Sequence, residues 1–250
     1  MTGWLVCPQQ RVCPKLRLVC FPYAGGSAWM FRPWASQLPE SVEVLAVEPP
    51  GRGKRLAEPA LTHLSDIVQA LGPQLLPYLN VPFAVFGHSM GALVAFEVCR
   101  WLRRSAQIVP VHFWAAAARA PHLAVQPPLM HTLDDEAFIN RLKRYQGTPT
   151  SVLNNAELMS LVLPTLRADF TVLETYTHQP GEPFPFPITG VWGESDPIVS
   201  KADVALWQTH TSEFALQAIA GHHFFIHQLS FTNVLTPTLQ SLLTSNEADS

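Results

Sequence analysis

The segment GHSMG at residues 87–91 places a serine between two glycines in the spacing G-x-S-x-G. An apolar run at residues 83–86 precedes it and a helical pattern follows it, so the serine lies at a sharp strand-to-helix turn. The glycines remove Cβ atoms that would collide with the neighbouring strand and helix. Such a turn exposes the hydroxyl at a helix N-terminus, where the dipole favours developing negative charge. The pattern predicts that Ser89 is a nucleophile that attacks an acyl carbonyl.

A base must activate that hydroxyl, and three histidines close to the C-terminus are candidates. His222, His223 and His227 follow an apolar run at residues 214–219. A base is expected in this place, in a loop after a late strand. The spacing HHxxxH also resembles a metal site, but no thiolate or carboxylate cluster accompanies it, so we expect no metal.

The acid that orients the histidine should lie between the serine and the histidine, directly after a strand. The segment GESDP follows the apolar run at residues 188–192. Asp196 is the best candidate in it and Glu194 is the second. Asp203 is weaker because it falls in a helical stretch beyond the turn. The chain order serine, acid, histidine is the one found in the α/β-hydrolase fold.

Backbone N–H groups should hold the negative oxygen of the tetrahedral intermediate. One donor is expected at Met90, directly after the nucleophile. The other should come from the loop at residues 22–27, which follows the first strand and contains two glycines. Ala24 is our choice for this donor, with Tyr23 as the alternative.

Strand-like and helix-like segments alternate along the chain, which predicts an α/β fold with a mainly parallel central sheet flanked by helices. Strands are predicted at residues 17–21, 42–47, 83–86, 109–114, 188–192 and 214–219. Helices are predicted at residues 64–78, 90–102, 133–145 and 155–176, with prolines lowering the expectation that the first and last are unbroken.

The region from about 119 to 187 breaks this alternation because it contains helical patterns and no convincing strand. Proline-rich loops flank the helices. We expect one α/β-hydrolase domain over residues 1–250, in which this region is a helical insertion that acts as a lid over the site.

The composition narrows the possible partners. The chain has 250 residues, 48% of them hydrophobic, and a net charge of −3 with no basic block, so we expect no nucleic-acid partner. No apolar run reaches the ~18 residues of a membrane span. The four cysteines show no metal-type spacing and are expected to be free thiols, so we expect a cytoplasmic protein.

Several segments together resemble the type II thioesterases, the free-standing editing enzymes that work beside nonribosomal peptide and polyketide synthases. They are FPYAGGSA at 21–28, PPGRGKR at 49–55, FGHSMGAL at 86–93, LPTLRADFTVLETY at 163–176, WGESDPIV at 192–199 and GHHFFI at 221–226. The second and fourth of these segments are the most particular, because they have no general catalytic meaning outside the family.

The resemblance selects His223, which precedes the Phe-Phe pair, as the base, and Asp196, in the Asp-Pro pair, as the acid. His222 departs from the family, which usually has glycine or aspartate there. The implied substrate is an acyl thioester on the 4′-phosphopantetheine arm of an acyl or peptidyl carrier protein. No cofactor of the enzyme itself is implied, since the phosphopantetheine belongs to the substrate.

Other functions fit parts of the same pattern. An acyl-CoA thioesterase or a small-molecule carboxylesterase would share the chemistry and differ in the lid and surface. A chain-terminating cyclase is less favoured, because those enzymes are usually fused domains. A non-catalytic binding module on a hydrolase scaffold belongs to another class, and the ordered serine, acid and histidine argue against it.

Overall fold

A seven-stranded sheet forms the centre of the computed structural model, which describes residues 3–145 and 147–248. The strands are β1 (Leu5–Val6), β2 (Leu16–Phe21), β3 (Val42–Val47), β4 (Phe83–His88), β5 (His112–Ala116), β6 (Ile188–Gly193) and β7 (Phe214–Ile219). Their order is β1-β3-β2-β4-β5-β6-β7. Only the short β1 runs antiparallel to its neighbour among these strands, so the predicted mainly parallel sheet is confirmed.

Helices lie along both faces of this sheet. The α-helices are α1 (Trp34–Gln37), α2 (Leu64–Leu75), α3 (Met90–Ser105), α4 (Asp135–Tyr145), α5 (Thr150–Leu153), α6 (Ala156–Thr175), α7 (Lys201–Ala205) and α8 (Thr232–Ala248). Short 3₁₀ helices occupy Ala28–Phe31, Gly53–Arg55, Leu76–Tyr78, Leu206–His210 and Phe225–His227. No helix among these is both long and apolar enough to span a membrane.

Burial on both faces explains why the central strands read as nearly continuous apolar runs. All six residues of β3 and all six of β4 are buried. One face packs against α2 and α3 through side chains such as Leu71 and Phe96. The other packs against α1 and α8 through side chains such as Trp34 and Leu235.

Some element boundaries differ from the sequence predictions. The strand predicted at residues 109–114 lies at β5, three residues later at its start, because Pro110 has no N–H to donate to a ladder. Helix α8 and strand β1 were not predicted. Helix α6 continues through Pro164, although an interior proline costs about 3 kcal/mol. Burial of its apolar side chains, including Phe170, offsets that cost.

The chain between β5 and β6 contains α4, α5 and α6. These helices share a small apolar cluster of their own, which includes Phe138, Leu142, Leu166 and Phe170. This segment lies in the region predicted at about 119–187 to be a helical insertion. That the region is an insertion and acts as a lid stays a prediction.

Phe231, immediately before α8, lies in an aromatic cluster on the face of the sheet that packs against α1 and α8. Its ring centroid is 5.5 Å from that of Trp34, 5.6 Å from that of Phe86 and 5.5 Å from that of Phe225. The side chain is 1% exposed. We expect Phe231→Ala to lower the free energy of unfolding by about 3–5 kcal/mol, because it leaves a cavity in this packing. Urea denaturation followed by circular dichroism measures the change.

Leu229 provides a control two residues away, since its side chain is 88% exposed. Leu229→Ala should shift the free energy of unfolding by no more than about 0.5 kcal/mol. Equal effects of the two substitutions would mean that Phe231 does not anchor α8.

His112 is a buried histidine of β5 that lies away from the carboxyl ends of the strands. Its Nε2 is 3.0 Å from the Thr189 hydroxyl. Burial lowers the pKa of His112 from 6.5 to about 4. The His112 ring is therefore neutral in the folded protein. In the unfolded chain the same ring binds a proton below about pH 6.5.

The stability due to the neutral His112 is complete above about pH 6.5 and is lost as the pH falls towards 4. One proton taken up on unfolding corresponds to about 1.4 kcal/mol per pH unit. We therefore expect His112→Gln to reduce the slope of unfolding free energy against pH by up to about that amount between pH 6 and pH 4.5. Urea denaturation at several pH values measures both slopes, and parallel curves for the two proteins would contradict the assignment.

Candidate active site

Four loops meet at the carboxyl edge of the sheet, as expected for parallel strands. The loop after β2 holds Ala24, the turn after β4 holds Ser89, the turn after β6 holds Asp196 and the loop after β7 holds His223. The order β2-β4-β5-β6-β7 brings these loops together although they are far apart in sequence.

Ser89 sits in a strained backbone conformation between β4 and α3, with φ 53° and ψ −118°. Its N–H donates to the Ala116 carbonyl at 2.8 Å, and its carbonyl accepts from the Ala92 N–H at 2.9 Å. A Cβ atom at position 91 would collide with the Phe21 carbonyl oxygen, so only glycine allows α3 to approach β2 this closely. The sharp turn predicted from GHSMG is present.

The structure joins Ser89, His223 and Asp196 by hydrogen bonds. The distance between Ser89 Oγ and His223 Nε2 is 3.1 Å. On the other side of the ring, His223 Nδ1 is 2.8 Å from Asp196 Oδ2. A carboxylate at Nδ1 holds the proton on that nitrogen and leaves Nε2 free to accept the serine proton. Such an arrangement can activate a serine hydroxyl, and the role of Ser89 as the nucleophile stays a prediction.

The side chains of His223 and Asp196 are shielded from solvent. The His223 side chain is 4% exposed and the Asp196 side chain is fully buried. Asp196 Oδ1 accepts hydrogen bonds from the N–H groups of Ile198 at 2.8 Å and Val199 at 3.1 Å. These bonds fix the carboxylate, so that its other oxygen is held towards the imidazole.

The other histidines considered from the sequence lie elsewhere. The exposed His222 has its Nδ1 2.9 Å from the Ser195 carbonyl oxygen. His227 Nε2 is 2.8 Å from the Tyr23 hydroxyl. Neither of these contacts involves Ser89.

The other acids considered from the sequence are not joined to His223 either. Glu194 is exposed. Asp203 Oδ2 lies 3.5 Å from Arg119 Nε. Among the acids considered, Asp196 alone contacts His223.

His88, directly before the serine, supports the loop of the base. Its side chain is fully buried, and Nε2 donates to the His223 carbonyl at 2.8 Å. Burial, together with the neighbouring His223, lowers the pKa of His88 well below its usual value. The neutral ring therefore ties β4 to the His223 loop. The sequence reasoning missed this contact, although His88 stands inside the nucleophile motif.

The two residues predicted to supply oxyanion donors lie near Ser89, Met90 as its neighbour in the chain and Ala24 in the wall of the same cavity. Met90 is the first residue of α3, directly after Ser89. Ala24 lines the same cavity as Ser89 and His223, and so does Tyr23. Within the described residues, the Ala24 and Met90 N–H groups donate to no protein acceptor. The assignment of Ala24 and Met90 as donors stays a prediction.

A buried ion pair close to the Ala24 loop was not anticipated from the sequence. Arg52 Nη1 lies 2.6 Å from Asp169 Oδ2, and Arg52 Nη2 lies 2.7 Å from Asp169 Oδ1. Nearby, the Thr165 hydroxyl donates to the Gly51 carbonyl at 2.7 Å. These contacts join the segments 49–55 and 163–176. The unusual residues of these segments were the only indication in the sequence that they have a special role.

A cavity of about 610 Å³ opens in front of Ser89 and His223. Its walls include side chains from α4 and α6, among them Leu142, Leu166 and Phe170. A largely apolar pocket with a few polar groups at one end is the usual form of a small-molecule site. The cavity therefore has room for a small-molecule group next to the Ser89 hydroxyl.

Comparison with known proteins agrees with this geometry. The model of the thioesterase domain family matches residues 16–240. The gramicidin S biosynthesis protein GrsT of Aneurinibacillus migulanus is 40% identical over 229 residues, which cover 91% of this chain and 90% of that protein. The solved type II thioesterase BorB, from the borrelidin biosynthetic cluster, has a TM-score of 0.86 and 34% identity, covering 96% of this chain and 97% of BorB.

A further relative, the linear gramicidin dehydrogenase LgrE of Brevibacillus parabrevis, is 41% identical over 246 residues, covering 96% of this chain and 94% of LgrE. The present sequence lacks the G-x-G-x-x-G fingerprint of dinucleotide binding and has the G-x-S-x-G turn instead. The family match over most of the chain, together with these full-length similarities, shows that the protein belongs to the thioesterase family and has its α/β-hydrolase fold.

Proposed function

We propose that the protein hydrolyses acyl thioesters on the 4′-phosphopantetheine arm of acyl or peptidyl carrier proteins, and so removes aberrant acyl groups during nonribosomal peptide or polyketide biosynthesis. The observation that carries this proposal is the chain of hydrogen bonds from Ser89 through His223 to Asp196, which opens onto an apolar cavity. The similarity to BorB, named as a type II thioesterase, supports the carrier-bound substrate.

In the first half of the reaction, His223 Nε2 takes the proton of the Ser89 hydroxyl while Oγ bonds to the thioester carbonyl carbon. The carbonyl oxygen becomes an oxyanion, held by the N–H groups of Met90 and Ala24. The C–S bond then breaks, and the pantetheine thiolate leaves with the proton from His223. Asp196 stabilises the imidazolium that forms between these steps.

In the second half, water enters and His223 removes one of its protons. The hydroxide attacks the acyl-serine carbonyl, and the same two amides hold the second oxyanion. The C–Oγ bond breaks, Ser89 recovers its proton from His223, and the carboxylic acid is released. These steps use only protein groups and water, and the phosphopantetheine belongs to the substrate.

The insertion at about 119–187 is proposed to be a lid within a single α/β-hydrolase domain over residues 1–250. Side chains of α4 and α6 form walls of the cavity, which supports this role. The sheet continues across the insertion from β5 to β6, which supports a single domain. We also propose a cytoplasmic location, which is consistent with the four free cysteines.

Substitutions in the proposed triad should lower turnover and leave the fold intact. We expect Ser89→Ala to reduce kcat by about 10⁴-fold or more, and Asp196→Asn by about 10⁴-fold, because each loses the activated serine. Release of thiol from an acyl N-acetylcysteamine thioester, detected with a thiol reagent, measures the change. Ser89→Ala should also prevent capture of the acyl-enzyme by mass spectrometry.

Glu194→Gln and His222→Gln are the matched controls, since they change the neighbouring acid and histidine that do not contact Ser89. Both should keep kcat within about twofold of wild type, as expected for exposed side chains. A Ser89→Ala protein with wild-type activity would exclude the nucleophile assignment. A wild-type protein that releases no thiol and forms no acyl-enzyme would instead favour a non-catalytic binding module.

The carrier-bound substrate is tested by presenting one acyl group in three forms. We expect kcat/KM to be highest for the acyl group on a phosphopantetheinylated carrier protein, lower for the acyl-CoA and lowest for the p-nitrophenyl ester. The reason is that only the first offers the protein surface beyond the pantetheine arm. Higher kcat/KM with acyl-CoA or with the ester would replace the proposal with an acyl-CoA thioesterase or a carboxylesterase.

A further inference from the structure

The two most particular segments of the sequence, 49–55 and 163–176, contribute nothing to the triad, yet they meet beside it in one ion pair. Arg52 and Asp169 form two parallel hydrogen bonds of 2.6 and 2.7 Å. The two side chains are 7% and 1% exposed. A bidentate pair of this kind fixes orientation as well as distance, because the planar guanidinium matches the carboxylate.

The same carboxylate also holds the loop that contains Ala24. Asp169 Oδ2 accepts the N–H of Gly25 at 2.6 Å, in addition to its bond with Arg52. Arg52 Nη1 also lies 3.3 Å from the Gly26 carbonyl oxygen. Asp169 belongs to α6, so a helix of the insertion directly orients a peptide group of the loop after β2.

The geometry of this loop determines where the Ala24 N–H points. The Gly26 N–H donates to the Tyr23 carbonyl at 2.8 Å, and Gly25 has φ 78°, as in a tight turn that requires glycine. In a trans peptide the carbonyl and the next N–H point in opposite directions. With the Tyr23 carbonyl directed into the turn, the Ala24 N–H is directed out of it and remains without a protein acceptor among the described residues.

We propose that Asp169, held by Arg52, is a positioning residue that fixes the Gly25 peptide and thereby keeps the Ala24 N–H aimed at the oxyanion. The inference rests on the oxyanion role proposed above for Ala24. The Tyr23–Gly26 hydrogen bond fixes the peptide before Ala24, and Asp169 fixes the peptide after it. Without the carboxylate, the second restraint is lost and the donor moves out of line as charge develops on the substrate.

The test compares Asp169→Asn with wild type on an acyl N-acetylcysteamine thioester. Turnover is divided by the concentration of Ser89 that a fluorophosphonate titrates to completion, so that unfolded molecules do not count. We expect kcat per titrated serine to fall about 10- to 100-fold with KM within about twofold, since complete loss of an oxyanion donor costs about 10²- to 10³-fold. Affinity for an alkyl trifluoromethyl ketone, whose serine adduct carries the oxyanion, should fall by the same factor as kcat/KM.

Arg167→Gln is the matched control on the same helix. Arg167 binds the His131 and Leu133 carbonyls and Asp135, and among the described residues none of its hydrogen bonds reaches the loop after β2. The substitution should keep kcat per titrated serine within about twofold of wild type, even where it lowers the melting temperature. An Asp169→Asn protein with the kcat and inhibitor affinity of this control would overturn the proposal.

Arg52→Lys provides a second variant for the case in which Asp169→Asn does not fold. It keeps a positive charge beside Asp169 but loses the planar fork that orients the carboxylate. We expect kcat per titrated serine to fall severalfold with little change in KM, and an unchanged kcat would overturn the proposal. The small thioester needs no carrier protein, so these ratios stay informative if the carrier-bound substrate is wrong. Activity in Ser89→Ala would instead mark failure of the serine mechanism itself.

Discussion

The strained backbone of Ser89, with φ 53°, is the constraint on which the active site depends. A non-glycine residue in such a region costs about 1–3 kcal/mol and persists only where its surroundings hold it. Here the buried strand β4 ends at His88, α3 begins at Met90, and Gly91 lets that helix lie against the Phe21 carbonyl. The hydroxyl is therefore presented above the edge of the sheet, and every other group of the site is placed relative to it.

The parallel sheet brings His223 and Asp196 to this hydroxyl. β6 and β7 pair in parallel up to Gly193 and Ile219, so the turns that follow them leave the sheet at the same edge. His88 adds a direct bond from β4 to the His223 carbonyl. His223 is thus held at two points. The Asp196 carboxylate binds its ring, and the His88 ring binds its backbone carbonyl.

Much of this arrangement could be predicted from the sequence because it depends on local signals. The GHSMG segment predicts the turn in which it lies. Asp196 and His223 each follow a strand that the sequence pattern also predicts. Helix α8 was missed and the start of β5 was misplaced. Burial against the sheet determines these elements more strongly than the local sequence pattern does. The Arg52–Asp169 pair joins residues that are 117 positions apart in the sequence. No periodicity or motif predicts a contact at that separation.

The ion pair also bears on how the insertion can move. α6 is tied to the body by Asp169 and by the Thr165 hydroxyl, and both ties are buried. Breaking a buried pair by removing one partner costs about 3–5 kcal/mol. Separating α6 from the Arg52 loop therefore has a large free-energy cost. α4 in turn packs on α6 through the rings of Phe138 and Phe170, whose centroids are 5.6 Å apart. Opening of the proposed lid is therefore expected to leave α6 in place, so that it continues to hold the Ala24 loop.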